Sequence, residues 1–325
     1  MEKHINKKLR EISNVNSLLT IICAVIQFSL IFIGGVIINI IINIFLDNNF
    51  EYMNPIIMGC AHASYLIAIP AILILFKFTQ YGKNISPISS YFCKPQVSWK
   101  KIICWLIISI GLIYIVRYST YYLPKLLRIN INSVDLRPQD NLLSKIIDFI
   151  GIVCIAPLFE EIFYRVILLG NVAKYGSWSM IVATAIIFGL MHGNYDQFCY
   201  ATMLGICSGF LMLKTKSIIP SWILHISFNI LGFIALLSSV GEDLERLDNE
   251  NIVLRILGVI AIMMIIIGLS LLIIEFIKNK ESFKLENGCS EISEGKKLAV
   301  YFSAPLTIFV VVVYMIFIIY VAILK

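Results

Sequence analysis

The sequence predicts an all-α polytopic membrane protein, a single integral membrane domain over residues 1–325 with about nine transmembrane helices, eight to nine by count. Three observations carry this reading. Hydrophobic residues make up 59% of the chain and charged residues only 14%, with a mean hydropathy of +0.89, far outside the range of soluble domains. Apolar runs long enough to cross a hydrocarbon core of about 30 Å recur along the whole length. The lysines and arginines collect in particular loops, so the net charge of +6 reads as topology.

The runs lie near residues 18–46, 55–76, 102–123, 146–170, 178–193, 197–213, 217–240, 252–277 and 298–324. The first follows a polar, basic head and is long enough to tilt or to include an interfacial turn; no Ala-x-Ala site follows it, which argues against a cleaved signal peptide. The second carries His62, read as a packed or hydrogen-bonded helix residue. After the third comes a mixed segment, 124–145, with Pro124, Asn130, Asn132, Asp135, Arg137, Pro138 and Asp140 among leucines and isoleucines. It suits an amphipathic stretch along the membrane interface, or a plain connecting loop. The fifth and sixth runs are short and weakly separated, which is why the count ranges from eight to nine.

With the N-terminus in the cytoplasm, seventeen lysines and arginines fall inside and seven outside, while Arg117 and Arg165 lie within spans. The bias predicts a cytoplasmic N-terminus in what the Ile, Asn and Lys richness suggests is a bacterial cell membrane. The eight cysteines contain no Cys-x-x-Cys pair and fall mostly in apolar spans, so neither a disulfide framework nor a cysteine metal site is indicated. Nucleic acid is excluded as a partner, because no basic face interleaved with aromatics is present. No internal repeat is visible, which counts against a transporter built from paired halves. Oligomeric state is not legible.

The chemistry concentrates in the fourth run, where Glu160, Glu161 and Arg165 follow Pro157. A charged residue at bilayer depth costs roughly 3 kcal/mol on insertion scales, so the three oppose insertion unless partners satisfy them. Glu161 and Arg165, four apart, suit an internal ion pair. Glu160 lies about 100° around the helix and should address a different neighbour. Pro157 should loosen the preceding turn and kink the helix, unless it is an ordinary membrane-helix proline.

Two later runs add His192, four residues after Phe188, and His225, four before Asn229. Counting helix rise from the cytoplasmic ends puts Glu160, His225 and His192 at depths of roughly 15, 12 and 22 Å, which permits one layer. A carboxylate, two imidazoles and an amide are the parts needed to deprotonate a water, protonate a leaving amine and stabilise an oxyanion. The same Glu160, His192 and His225 also form a candidate zinc set with an open water position. Other intramembrane hydrolase signatures fail: there is no His-Glu-x-x-His and no Gly-x-Gly-Asp. Gly205 to Gly209 offers Ile206 where a rhomboid-type Gly-x-Ser-Gly needs glycine.

Glu-Glu-x-x-x-Arg at 160–165, Phe-x-x-x-His at 188–192 and His-x-x-x-Asn at 225–229, in this order on three central helices within a core of residues 145–235, resemble the CPBP family of intramembrane proteases. That family includes CAAX prenyl endopeptidases and bacterial proteins linked to bacteriocin processing and self-immunity. The resemblance implies an intramembrane endopeptidase, with Glu160 as the base activating water and His192 assisting proton transfer. It implies that His225 and Asn229 stabilise the oxyanion, that Glu161 and Arg165 support the site, and that the substrate is a membrane-associated peptide or protein at the lipid bilayer. It leaves a glutamate-activated water and a metal-bound water, zinc included, both open. The expected site opens toward the cytoplasmic half of the membrane, with peptide maturation or bacteriocin immunity as its setting. The alternatives are a non-catalytic scaffold or immunity protein that binds a peptide or sensor kinase, and a small-solute transporter.

Overall fold

A computed structural model describes residues 2–45, 53–80, 82–84, 87–132, 141–239, 251–285, 289 and 291–324. Among the described residues the chain is helical and contains no strand. The helices are α1 (Glu2–Phe45), α2 (Met53–Lys77), α3 (Trp99–Leu126), α4 (Leu142–Tyr175), α5 (Ser177–Leu190), α6 (Tyr195–Thr215), α7 (Ile219–Ser238), α8 (Ile252–Lys278), α9 (Glu294–Phe302) and α10 (Pro305–Leu324). Eight of them, all except α5 and α9, are long and apolar enough to cross a membrane. At 14 residues, α5 spans only about 21 Å. The fifth expected span is therefore a short helix that stops inside the bundle.

Two other expectations need correction. The run 298–324 is not one helix: Leu298–Phe302 belong to α9, the chain turns at Ser303 and Ala304, and α10 starts at Pro305, a residue suited to a first helical turn. The polar N-terminal head also packs one face of its helix into the core. Its residues continue α1, and although the charged side chains stay exposed, Leu9, Ile12, Ser13 and Asn16 are buried, with Ser13 Oγ donating to the Tyr301 carbonyl at 2.7 Å and Asn16 Nδ2 to the Leu168 carbonyl at 3.1 Å. Of the segment 124–145, Pro124 to Leu126 complete α3 and the Asn132 N–H donates to the Ala322 carbonyl at 2.9 Å. Asp135, Arg137, Pro138 and Asp140 lie outside the described residues.

α4 occupies the middle of the bundle, against α2, α5, α6 and α7, and from Glu161 to Leu169 every one of its side chains is buried. Glu161 and Arg165 within this stretch need partners that neighbouring helices supply and lipid does not. Where α4 meets α2, Gly151 makes room: a Cβ there would stand 2.0 Å from the His62 ring. At the periphery α8 leans on α3 through a glycine crossing, where a Cβ on Gly111 would meet the Met264 carbonyl at 2.7 Å and the two glycine Cα atoms share the contact. Small residues let helix backbones approach where lipid supplies no hydrophobic drive.

Candidate active site

α4 begins with Asn141 accepting the Ser144 N–H at 2.8 Å, a conventional N-cap. The helix is then π-wound through Phe149–Ile155, returns to α-helix over Ala156–Glu160, and is π-wound again through Glu161–Leu169. Such bulges are frequent at functional sites. In the first of them the Ala156 N–H reaches back five residues to the Gly151 carbonyl. In the same register the Ile152 carbonyl would accept from residue 157, but Pro157 has no N–H to give. Asn229 Nδ2 donates to that carbonyl instead, at 2.8 Å. The proline on α4 thus creates the acceptor that fixes the amide on α7.

Glu160 and Glu161 diverge as their positions on the helix require. Glu160 Oε1 accepts from the Tyr65 hydroxyl on α2 at 2.8 Å. Glu161, fully buried, lies 3.3 Å from Arg165 Nε and 3.0 Å from His225 Nδ1. The divergence is incomplete, because the other nitrogen of the same ring, His225 Nε2, stands 3.6 Å from Glu160 Oε2. One imidazole is bracketed by two carboxylates. Since Glu161 is already paired with a guanidinium, it acts as acceptor and fixes the proton on His225 Nδ1, leaving Nε2 as the edge that gains or gives a proton.

Arg165 is fully buried, with its guanidinium carbon 4.8 Å from the centre of the Phe188 ring. Its Nη1 and Nη2 have no hydrogen-bond partner among the described residues. Phe188 also packs edge-to-face on His192 and His225, at 5.0 and 5.8 Å, so one ring spaces both imidazoles from the arginine. His192 itself sits in the turn after α5, where its Nδ1 bonds the Phe188 carbonyl at 3.0 Å. A carbonyl only accepts, so Nδ1 carries the proton and the lone pair of the neutral ring is on Nε2.

Glu160, His192, His225 and Asn229 all line one cavity of about 730 Å³. A smaller recess of about 120 Å³ adjoins Glu160 and His192 and is lined also by Cys23, Gln27 and Tyr65. Among the described residues no group of three or more His, Cys, Asp or Glu side chains is drawn together to hold a metal ion; Glu160 and His225 face each other without a third such ligand.

Three further polar groups line the cavity that the sequence did not assign to the site. Tyr65 lay unremarked in an apolar run. His62, expected to be a packed or hydrogen-bonded helix residue, meets Asp148 at 3.2 Å, and Arg117 reaches the cavity from α3. Each is a polar residue within a span, which was the available signal.

The cavity extends past His62 at the start of α2, Asp148 at the start of α4 and Leu236 at the end of α7. In this antiparallel arrangement those helix ends lie opposite the start of α1. The cavity thus reaches toward the side of the bundle opposite the start of α1.

Residues 142–231 match the family model described as Rce1-like, type II CAAX prenyl endopeptidase. The matched segment runs from the first residue of α4 to just beyond Asn229 and contains all three motifs. No curated protein and no solved structure matches the chain.

Proposed function

We propose that this chain, which belongs through residues 142–231 to the family of type II CAAX prenyl endopeptidases, is an intramembrane endopeptidase that hydrolyses a membrane-associated peptide with water activated by Glu160. The observation that carries the reading is the bracketed imidazole: a carboxylate with access to the cavity stands 3.6 Å from a histidine whose far edge is anchored by a buried ion pair.

In this reading Glu160 takes a proton from a cavity water, and the water oxygen attacks the peptide carbonyl carbon. Tyr65 holds the Glu160 carboxylate in place through its 2.8 Å hydrogen bond. The developing oxyanion is met by the N–H of His225 Nε2, on a ring anchored at Nδ1 by Glu161, and by the second N–H of Asn229. Its first N–H is spent on Ile152, so the amide is held ready before substrate arrives, as electrostatic stabilisation requires. The C–N bond then breaks and the proton passes to the leaving amine from Glu160, with His192 Nε2 as relay. Zinc is not needed for these steps. Should the purified protein carry stoichiometric zinc that His192→Ala removes, the water is metal-bound and Glu160 a ligand or base beside it.

The bias of basic residues favours an inward N-terminus, and the cavity then receives its peptide from the external side. In cells with the native cysteines replaced, a membrane-impermeant maleimide should label Asn132→Cys and spare Ser282→Cys. The reverse pattern would place the cavity mouth at the cytoplasm.

The function itself is tested by comparing peptide termini, by mass spectrometry, in membranes and medium of host cells lacking the protein or carrying wild type or Glu160→Gln. General acid–base groups contribute about 10²- to 10⁴-fold, so termini made by wild type should vanish in the variant. Identical termini, with a phenotype that both versions rescue, would point instead to a scaffold or immunity protein that binds a peptide or sensor kinase without cutting.

A further inference from the structure

Arg117 lies in the last third of α3, outside the segment that matches the family. A guanidinium within a span carries the same insertion cost of about 3 kcal/mol as the α4 charges, yet it has none of their partners. Among the described residues no carboxylate lies within ion-pair distance of it, and its contact is with the face of the Tyr200 ring, 5.5 Å from the centroid. A ring face holds the cation and leaves its N–H edges unspent. Tyr200 packs in turn on Phe228 at 5.5 Å, three residues beyond His225 on α7, and both aromatic residues line the cavity that holds Glu160. Arg117 is therefore a preoriented donor fork facing reaction space; Asp196 feels its charge, but among the described residues no carboxylate forms an ion pair with it.

The geometry points to Arg117 as the specificity residue of this protease, binding a carboxylate of the peptide substrate. This rests on the endopeptidase reading and narrows it to an anionic peptide. A planar guanidinium recognises a carboxylate through two parallel hydrogen bonds, and removal from water strengthens that pairing. The carboxylate has two possible sources, the C-terminus of the peptide or an Asp or Glu side chain. The Tyr200 and Phe228 rings between Arg117 and the catalytic groups offer an apolar floor for the residues that separate the anion from the scissile bond.

The test uses full-length protein in liposomes and two random libraries of apolar octapeptides with scattered Asp and Glu, one with free C-termini and one amidated. Binding is measured on Glu160→Gln, which retains the pocket without turnover, and on Glu160→Gln combined with Arg117→Gln or Arg117→Lys. Peptides retained after washing are sequenced by mass spectrometry. The protein with Arg117 should retain free-acid peptides at least tenfold over amidated ones if the C-terminus is the ligand. If a side chain is the ligand, it should enrich Asp and Glu at one position in both libraries. Arg117→Gln should erase that discrimination, and Arg117→Lys should restore part of it. Equal retention of both libraries without acidic enrichment, or a preference that survives Arg117→Gln, overturns the inference. With the same libraries, wild type that cleaves nothing Glu160→Gln leaves intact would defeat the endopeptidase reading separately, whatever the binding result.

Discussion

α6 and α8 are both apolar spans, but they occupy opposite environments. In the most apolar window of α6, 56% of the residues are buried within the protein; in that of α8 the share is 11%. Yet α6 is the more polar of the two: Asp196, Gln197, Thr202 and Ser208 interrupt it, whereas α8 from Val259 to Ile274 has only Ser270 as a polar side chain. In a water-soluble domain the order would be reversed. Lipid accepts Ile, Phe and Met side chains as readily as a protein core does, so apolar character does not select the interior; the need of polar groups for partners does. The region of the candidate site is inside because it is polar, and the periphery is outside because it is not.

That contrast can be broken most severely at its polar centre. Arg165→Ala leaves Glu161 charged and buried beside His225, and breaking such a pair from one side costs about 3–5 kcal/mol; thermal unfolding in detergent should register it as failure to fold or a large drop in Tm. Glu161→Gln with Arg165→Met, which removes both charges, should recover much of that stability while leaving His225 without its anchor and the enzyme inactive. A double variant as unstable as Arg165→Ala would mean that packing, not charge, holds the centre.

A smaller effect is expected where the polar centre meets its neighbour. Asn229→Leu exposes the Ile152 carbonyl that Pro157 leaves free, a loss of about 1–3 kcal/mol for an unsatisfied buried acceptor, together with a fall in kcat. Adding Pro157→Ala supplies the missing N–H and should restore stability without activity. At the periphery, Gly111→Ala pushes α8 off α3 through the 2.7 Å clash with the Met264 carbonyl. Overpacking of this kind costs about 1–3 kcal/mol, here without changing the acid or base groups, so cleavage at low temperature should persist.

The smallest expected effect lies outside the spans. Burial of the Glu294 carboxyl favours its neutral form, but hydrogen bonds from Lys297 and Ser179 outweigh this and hold its pKa below the usual carboxylate range. Stability from this group is therefore complete above the ordinary carboxylate pKa and is lost as pH falls through the lowered one. The carboxyl is about half exposed, which limits the contribution to a few tenths of a kcal/mol. Glu294→Gln should flatten the acid limb of the Tm profile by that amount, and an unchanged profile would remove Glu294 from the account.

Much of this arrangement was legible in the sequence, for identifiable reasons. Helix spans are dictated by hydrocarbon thickness, so the long runs were readable one by one. The break at Ser303 was not, because small residues between two apolar stretches carry no length signal. The Glu161 to Arg165 pair follows from spacing alone, whereas the reach of Glu160 to the same imidazole depends on the position of α7, which no local pattern encodes. Pro157 announced a disturbed backbone, but its consequence, a carbonyl captured by a side chain 77 residues away, needed the tertiary fold. Tyr65 and Arg117 were missed because each is an isolated polar residue whose meaning comes from the helix opposite.

The hydroxyl ladder at the start of α1 bears on how such a molecule is made. Ser13 and Ser17 both bond Thr307 at 2.8 Å, across sequence separations of 294 and 290 residues. A ribosome delivers the two ends of that ladder about half a minute apart, at roughly ten residues per second. Until α10 arrives, the first span waits in the bilayer with its polar face turned to lipid headgroups, to water or to an insertion chaperone. The bundle therefore closes last around the segment that was synthesised first, and proteolytic surveillance has that interval in which to judge it.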